Sequence, residues 1–455
     1  MRKPHLHQDW IDSHAFGIVK ALQKGGFTTY LVGGCVRDLL INTHPKDFDI
    51  ATAAVPQQVK KLIYMAFIIG KRFRLVLVKR EAQQFEVATF RREVRPEDST
   101  DPGQPTGDNI FGTPEEDAQR RDFTINGLFY DPINEQLIDY VHGLPDIEAR
   151  VLRMIGDPET RLLEDSIRIL RGLRLTHKLG FTIDPALRSA MQTHADSLAK
   201  SVLPRRREEI LKMLRLDEPD RALLEAYDLG ILKHVLPTLH DLLENTERRD
   251  LFLQYFEVFR TIVIDPSETT QLFGWLVYSI LRSAQEAPSD RTEPLTIEDE
   301  IFQYMMREEL GMYKFEQTSL SRAVELVPLL TKTDDFKRRG ERRQLGLMKN
   351  EGFRLALRFA EADFDLSPSQ LAFWRTSFES HAPEIEENEA EAKTKKRRRG
   401  RRRRPGERGE DDGSDGDRGN KRGGRGDRNG NRAEAGGHDS GNDSDSGDDS
   451  SPETP

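Results

Sequence analysis

The spacing of apolar positions changes once along the chain, near residue 160. Before it, apolar residues fall in short β-prone runs: TTYLV from Thr28, Phe48 and Ile50 interleaved with Asp47 and Asp49, FIIGKRFRLVLVK from Phe67 to Lys79, and QFEVATFRR from Gln84 to Arg92. Short runs with alternating polarity are strand signals. Two glycines, Gly33 and Gly34, separate the first run from the helical pattern CVRDLL that ends at Leu40. Glu93 to Thr113 is polar and rich in Pro, Gly and Asp, which predicts a mobile surface loop. RRDFTINGLFYD follows, and a turn-rich stretch reaches Pro158. From Arg161 onward the period becomes helical, with Ile167, Leu170 and Leu173 as one set and Ile210, Met213 and Leu214 as another.

This pattern predicts an N-terminal extension over 1–27 and an α/β head with a small mixed sheet over 28–158. A helical neck over 159–219 and a helical body and leg over 220–382 follow. The 455-residue length accommodates several domains. Beyond Pro383 large apolar residues nearly vanish, and such a segment cannot bury enough surface to offset its chain entropy, so 383–455 is expected to be disordered. The net charge of -9 hides a local block, Lys393 to Arg404, in which ten of twelve residues are cationic. Where positive charge clusters matters more for nucleic-acid binding than the sum. Lys395, Lys396, Arg397, Arg398, Arg399, Arg401, Arg402, Arg403 and Arg404 are therefore candidate RNA-phosphate contacts, with a solubilising tail as the alternative. Arg205 to Arg207 and Lys337 to Arg343 are candidate phosphate tracks, with solvated helix faces as the preferred alternative.

Cys35 is the only cysteine, which excludes an intramolecular disulfide framework and a cysteine-rich zinc site. The first sixteen residues lack the apolar core of a signal peptide, and no run approaches the roughly 18 to 20 apolar residues of a membrane span. A cytoplasmic protein without a membrane partner is expected.

The candidate chemistry lies in five places. Glycines between a strand and a helix let a phosphate approach backbone N–H groups, and Arg37 one turn later could grip a phosphate oxygen; a tight turn with a surface arginine is the competing account. Asp47 and Asp49, two apart, would share one strand face, where two carboxylates repel unless a cation sits between them. Mg²⁺ is the hard cation that prefers such oxygens beside nucleotide phosphates, and an acidic loop is the alternative. Glu86 would share a strand face with Ala88 and Phe90, either supporting a metal site or forming an edge salt bridge. Arg120, Arg121 and Asp122 form either a phosphate-facing set or a surface ion cluster. Glu164 and Asp165 precede Arg168, Arg171 and Arg174 on a helical pattern, where Asp165 and Arg168 could pair at (i, i+3) to aim a fork of donors.

Taken in order, LVGGCVRDLL, PKDFDIAT, RRDFTINGL and LLEDSIRILRGLR resemble the class II CCA-adding enzyme and bacterial poly(A) polymerase family. The match spans roughly residues 28 to 215 and fades through the helices to about 380. The resemblance implies a nucleotidyltransferase head with helical neck, body and leg. It also implies template-independent transfer of AMP from ATP to RNA 3′ ends by a two-Mg²⁺ mechanism. Carried over residue by residue, Asp47 and Asp49 become the metal carboxylates, and Gly33, Gly34 and Arg37 the phosphate loop. Arg121 and Asp122 become the arginine–aspartate pair, with Asp122 catalytic. Asp165, Arg168 and Arg171 become the neck motif at the incoming nucleotide, with Arg174 a further phosphate contact.

Ile68 to Val78 and Asp108 to Asn126 look like the polymerase branch of that family, and a basic C-terminal extension fits it. Cys35 stands where the family usually has Gly or Ala, and Ser166 where Pro commonly follows the neck ED pair. The rivals are a CCA-adding tRNA nucleotidyltransferase on the same head and a non-catalytic RNA-binding adaptor that keeps the fold.

Overall fold

The computed structural model describes residues 6–70, 75–93, 110–261, 267–285, 300–363 and 366–402. The head is built on a seven-stranded sheet of order β3-β4-β5-β2-β1-β6-β7. Its strands are β1 (Thr29–Val32), β2 (Asp49–Thr52), β3 (Ala66–Ile69), β4 (Leu75–Arg80), β5 (Gln83–Thr89), β6 (Leu128–Asp131) and β7 (Gln136–Asp139). Only β2 and β5 run parallel, placing Asp49 opposite Glu86. That pairing needs a crossover, which is supplied by the helix Pro56–Leu62 and the β3–β4 hairpin.

One face of the sheet carries Leu31, Ile50, Val76, Val78, Phe85, Val87 and Leu128 into the main core, where helix α1 (Ser13–Lys24) adds Ala15, Ile18, Val19 and Leu22. Asp12 caps α1, accepting hydrogen bonds from the amides of His14 and Ala15. The segment read as an N-terminal extension thus supplies part of the head core. The opposite face holds a smaller cluster, Val32, Ala51, Phe90, Phe129 and Val141, over the β1–β6 end. Toward β3 that second face is open.

Within the head, α2 (Gly34–Leu40), α3 (Pro56–Leu62), α4 (Pro114–Gln119) and α5 (Gly143–Ala149) lie in the connections of the sheet, and α6 (Pro158–Glu164) and α7 (Ile167–Leu179) of the neck follow. A two-stranded parallel pair, Val151–Leu152 with Thr182–Ile183, closes the head–neck junction. Further helices continue through α8 (Pro185–Thr193) and α9 (Leu203–Leu214) to Phe353–Ala362. No helix among the described residues is long and apolar enough to cross a membrane.

Disorder was expected from residue 383, yet the last helix runs Pro368–Arg402. Ile385 is buried against the body, and the Glu/Ala-rich stretch beyond it has high intrinsic helix propensity. Basic residues at its C-terminal end also complement the helix dipole. The side chains of Lys395, Lys396, Arg397, Arg398, Arg399, Arg401 and Arg402 lie outside the described residues, as do Arg403, Arg404 and everything after them.

The body is pinned by a buried ion pair. Arg207 donates to Glu316 at 2.6 Å and to the Gly311 carbonyl at 3.1 Å, while Thr269 and the Tyr313 amide also donate to Glu316. Its guanidinium lies over the rings of Tyr313 and Phe273. Arg207, expected on a phosphate track, is consumed by this network, because a guanidinium 4% exposed cannot be left unpaired. Glu316→Ala is expected to lower body stability by about 3–5 kcal/mol, the cost of stranding one member of a buried pair. A urea midpoint indistinguishable from that of the parent would contradict the pinning role.

Candidate active site at the head–neck junction

The β1 strand ends at Val32, and Gly33 takes φ 74° and ψ −130° to start α2 at Gly34. The Gly33 amide donates to the Leu128 carbonyl. A Cβ at Gly33 would lie 3.1 Å from the Arg121 guanidinium, so glycine is needed here both for its backbone conformation and for this approach.

The structure starts β2 at Asp49, with Asp47 just ahead of it rather than in the same strand. The alternation nevertheless holds: Asp47 and Asp49 are exposed while Phe48 and Ile50 are buried. Partial burial raises the Asp49 carboxyl above its ordinary value, and the carboxylates of Glu86 and Asp47 push it further, with Arg121 opposing. The same burial and Asp49 push the Cys35 thiol up to about 12, which keeps it protonated and non-nucleophilic. Among the described residues no group of three or more His, Cys, Asp or Glu side chains forms a metal-holding cluster.

Arg121 is held by Asp117, with Nη2 2.9 Å from Oδ2, by the Asn126 carbonyl and by the face of Phe129. Burial works against ionisation of Asp117, but Arg121 and Arg120 outweigh it and hold its carboxyl below the usual range. Asp117 and Asn126 were not singled out in the sequence; Asp117 lies one helical turn before Arg121, the (i, i+4) spacing that would have found it. Arg37 is 4% exposed and donates to Asp38 and, at 2.6 Å, to Asn126 Oδ1. It ties α2 to the turn Thr124–Asn126 instead of offering a free bidentate fork.

Asp122 joins head to neck. Arg168 Nε donates to its Oδ1 at 3.0 Å and Arg171 Nη1 to its Oδ2 at 2.7 Å. Arg168 also bonds Glu164 and the Arg161 carbonyl. Burial opposes the charge on Arg168, but the bonds to Glu164 and Asp122 raise its pKa above the ordinary value.

The expected Asp165–Arg168 pair is absent. Asp165 is the extended C-cap of α6 (φ −151°, ψ 94°) and α7 begins at Ile167, so the two residues do not share one helix. Asp165 instead takes a bidentate contact from Arg205 at 3.0 and 2.7 Å, which removes Arg205 from the proposed phosphate track. Arg174 pairs with Glu209 at 2.7 Å. Ser166 adopts a helical backbone at the N-cap without a side-chain cap bond, so the missing proline leaves α7 intact.

A lysine missed in the sequence extends this set. Lys178 shares one face of α7 with Arg171 and Arg174, at seven and four residues' spacing. Partial enclosure of its amine, then Arg37, Arg174 and Lys46, lower its pKa, with Asp38 opposing. A stripe of cations therefore runs from Asp122 toward Arg37.

Residues 29–153 match the family described as Poly A polymerase head domain, and residues 180–243 the one described as Probable RNA and SrmB-binding site of polymerase A. The chain belongs to the poly(A) polymerase and CCA-adding enzyme family. Its similarity to Poly(A) polymerase I of Haemophilus influenzae is 33% identity over 313 residues, 67% of this chain and 64% of that protein. To Poly(A) polymerase I of Escherichia coli it is 44% over 212 residues, 45% of this chain and 46% of that protein. The CCA-adding enzyme of Lactobacillus helveticus is 37% identical over 199 residues, 44% of this chain and 49% of that one. The chain thus spans about half to just under two thirds of these relatives. Among solved structures, the Bacillus stearothermophilus CCA-adding enzyme in complex with CTP aligns with TM-score 0.53 at 23% identity, covering 80% of this chain and 82% of that one. At that identity it shows the fold, a poly(A) polymerase-type head on a helical neck and body.

Proposed function

We propose that this chain is a template-independent poly(A) polymerase that adds AMP from ATP to RNA 3′ ends and releases pyrophosphate. The observation that carries it is the convergence of Asp49, Glu86 and Arg121 beside the Gly33 turn, with Asp122 fixing Arg168 and Arg171 across the junction.

The donor set suits Mg²⁺. Asp47 and Asp49 are hard oxygen donors, Asp49 carries a charge its surroundings disfavour, and two carboxylates leave positions for substrate oxygens. When bound, Mg²⁺ supplies charge neutralisation at the phosphates and a lowered pKa for the attacking 3′-hydroxyl. Asp47 and Asp49 would hold it, with Glu86 opposite Asp49 supporting that carboxylate. Arg121 lies where the Gly33 turn would receive a phosphate and can stabilise charge that develops during in-line displacement. Arg168 and Arg171 present guanidiniums toward the incoming nucleotide, oriented by Asp122. The stripe Arg171, Arg174 and Lys178 offers charge for the triphosphate or for RNA phosphates. The exposed stretch Lys337 to Arg343 and the basic end of the last helix are the RNA-phosphate contacts of this reading, which is that of a cytoplasmic enzyme.

CCA addition is the second reading, favoured by the fold match to CCA-adding enzymes and their 34–37% identity among curated relatives. Ile68 to Val78 and Asp108 to Asn126 favour the polymerase, although residues 71–74 and 108–109 lie outside the described residues. Purified protein with Mg²⁺, an unstructured RNA oligomer and each NTP in turn decides between them. Repeated addition with ATP and poor use of CTP is expected. Addition only of the missing CCA residues to truncated tRNA, followed by a stop, would replace this reading with the second.

A further inference from the structure

We propose that the open end of the sheet face carrying the carboxylates is a stacking platform for the bases of a single-stranded RNA acceptor, centred on Phe67. The inference deepens the poly(A) polymerase reading and rests on it for the identity of the acceptor.

Strand register carries the case. Asp49 on β2 pairs with Glu86 on β5, Glu86 with Leu77 on β4, and Leu77 with Phe67 on β3. One row across four neighbouring strands therefore leads from the candidate active site to the sheet edge. Residues in one row point to one face, and three strand steps place Phe67 about 14 Å from Asp49. The next row on this face adds Ile69, register partner of Leu75.

The β3 edge leaves its apolar residues open, Ile68 on the other face included at 36%. Phe67 is 45% exposed and Ile69 40%, while Val76 and Val78 on the opposite face are buried. Phe67 and Ile69 are thus only partly covered by the described residues. An apolar patch left open beside a polar active site calls for an occupant. A protein strand could pair with the β3 edge, but Lys79 at the ring and the row leading to Asp49 favour nucleic acid. Lys79, on the same face of β4, lies over the Phe67 ring at 5.8 Å. An aromatic ring with a cation at it suits single-stranded nucleic acid: bases stack on the ring and a phosphate meets the charge. Contact through the π-face tolerates any base, which suits an acceptor that lengthens without a template. The platform would hold bases upstream of the terminal nucleotide, leaving the 3′-hydroxyl at Asp49.

The test uses the full chain with an oligoadenylate acceptor bearing 2-aminopurine at positions walked back from the 3′ end. In the parent, fluorescence is expected to be quenched at one or a few internal positions and not at the remote 5′ end. Phe67→Ala is expected to abolish that quenching and raise KM for the acceptor about 5-fold or more, with KM for ATP unchanged. Phe67→Tyr restores both. Phe67→Leu, which keeps an apolar side chain on the edge strand, should reproduce the loss without a shift in Tm and so separates stacking from folding. An unchanged acceptor KM in Phe67→Ala and Phe67→Leu overturns the proposal. So does an equal rise in KM for ATP, and so does a dimer in sedimentation that Phe67→Ala dissociates without touching the acceptor KM. If the parent transfers no AMP to any RNA, the polymerase reading falls. The quenching assay, which needs no turnover, still decides for or against the platform.

Discussion

Asp49→Asn is expected to abolish AMP transfer while leaving the metal-free protein as stable as the parent or slightly more so. Charge stabilisation by a bound cation is worth several kcal/mol in such reactions, so losing a ligand costs on the order of 10³-fold in rate or more. The stability side follows from the direction of the Asp49 shift. Burial, Glu86 and Asp47 raise its carboxyl in the folded chain, so at neutral pH its ionisation opposes folding, and asparagine removes that opposition. Mg²⁺ binds the folded state and should raise the parent's melting temperature, an increment that Asp49→Asn loses. Asp47→Ala should behave alike in activity. Substantial Mg²⁺-dependent transfer by either variant would remove these carboxylates from the mechanism. A melting temperature well below the parent's would reassign them to folding.

Asp122→Ala should produce the second large effect, in kinetics and stability together. Asp122 accepts from Arg168 at one oxygen and Arg171 at the other, and all three are at least partly enclosed. Removing it leaves two guanidiniums without their shared partner. Charge-assisted hydrogen bonds of this kind contribute about 1.5–3 kcal/mol each, less where solvent screens them, as at the more exposed Arg171. A rise in KM for ATP or a fall in kcat totalling on the order of 10²-fold in kcat/KM is expected, since misplacing a positioning group commonly costs that much. Arg168→Ala should lose a similar factor, and the double variant little more than either alone, because both break one clamp. Additive losses would mean that Asp122 and Arg168 act separately, and an unaltered KM for the RNA acceptor checks that the lesion is on the nucleotide side.

Much of the site was legible because its parts are local. Gly33 between strand and helix, the exposed–buried alternation from Asp47 to Ile50, and the helical run after Ile167 each follow from a short stretch of chain. Pairing was where sequence reading failed. Asp165 and Arg168 stand at a helical spacing, yet a break in the helix lies between them and each finds a partner elsewhere, Arg205 for one and Asp122 for the other. Arg37 looked like a phosphate grip and is instead satisfied by Asp38 and Asn126, the latter 89 residues away. Arg207 looked like part of a surface track and lies buried on Glu316, 109 residues away. A guanidinium's partner is whichever carboxylate the fold brings close, and spacing along the chain carries no record of it.

The sequence by itself determined the division into a mixed α/β head and a helical neck and body, because hydrophobic period is a property of neighbouring residues. It also determined which residue types stand at each turn: glycine at the phosphate loop, paired acids at the start of β2, cations along α7. Only the folded chain shows the strand order that sets Asp49 beside Glu86 in a parallel pair, and the extension of that row to a half-exposed Phe67. It also decided that Asp122 clamps the neck rather than standing free. Strand order and side-chain pairing depend on contacts between segments far apart in the chain, and those contacts exist only once burial of the common core has drawn the segments together.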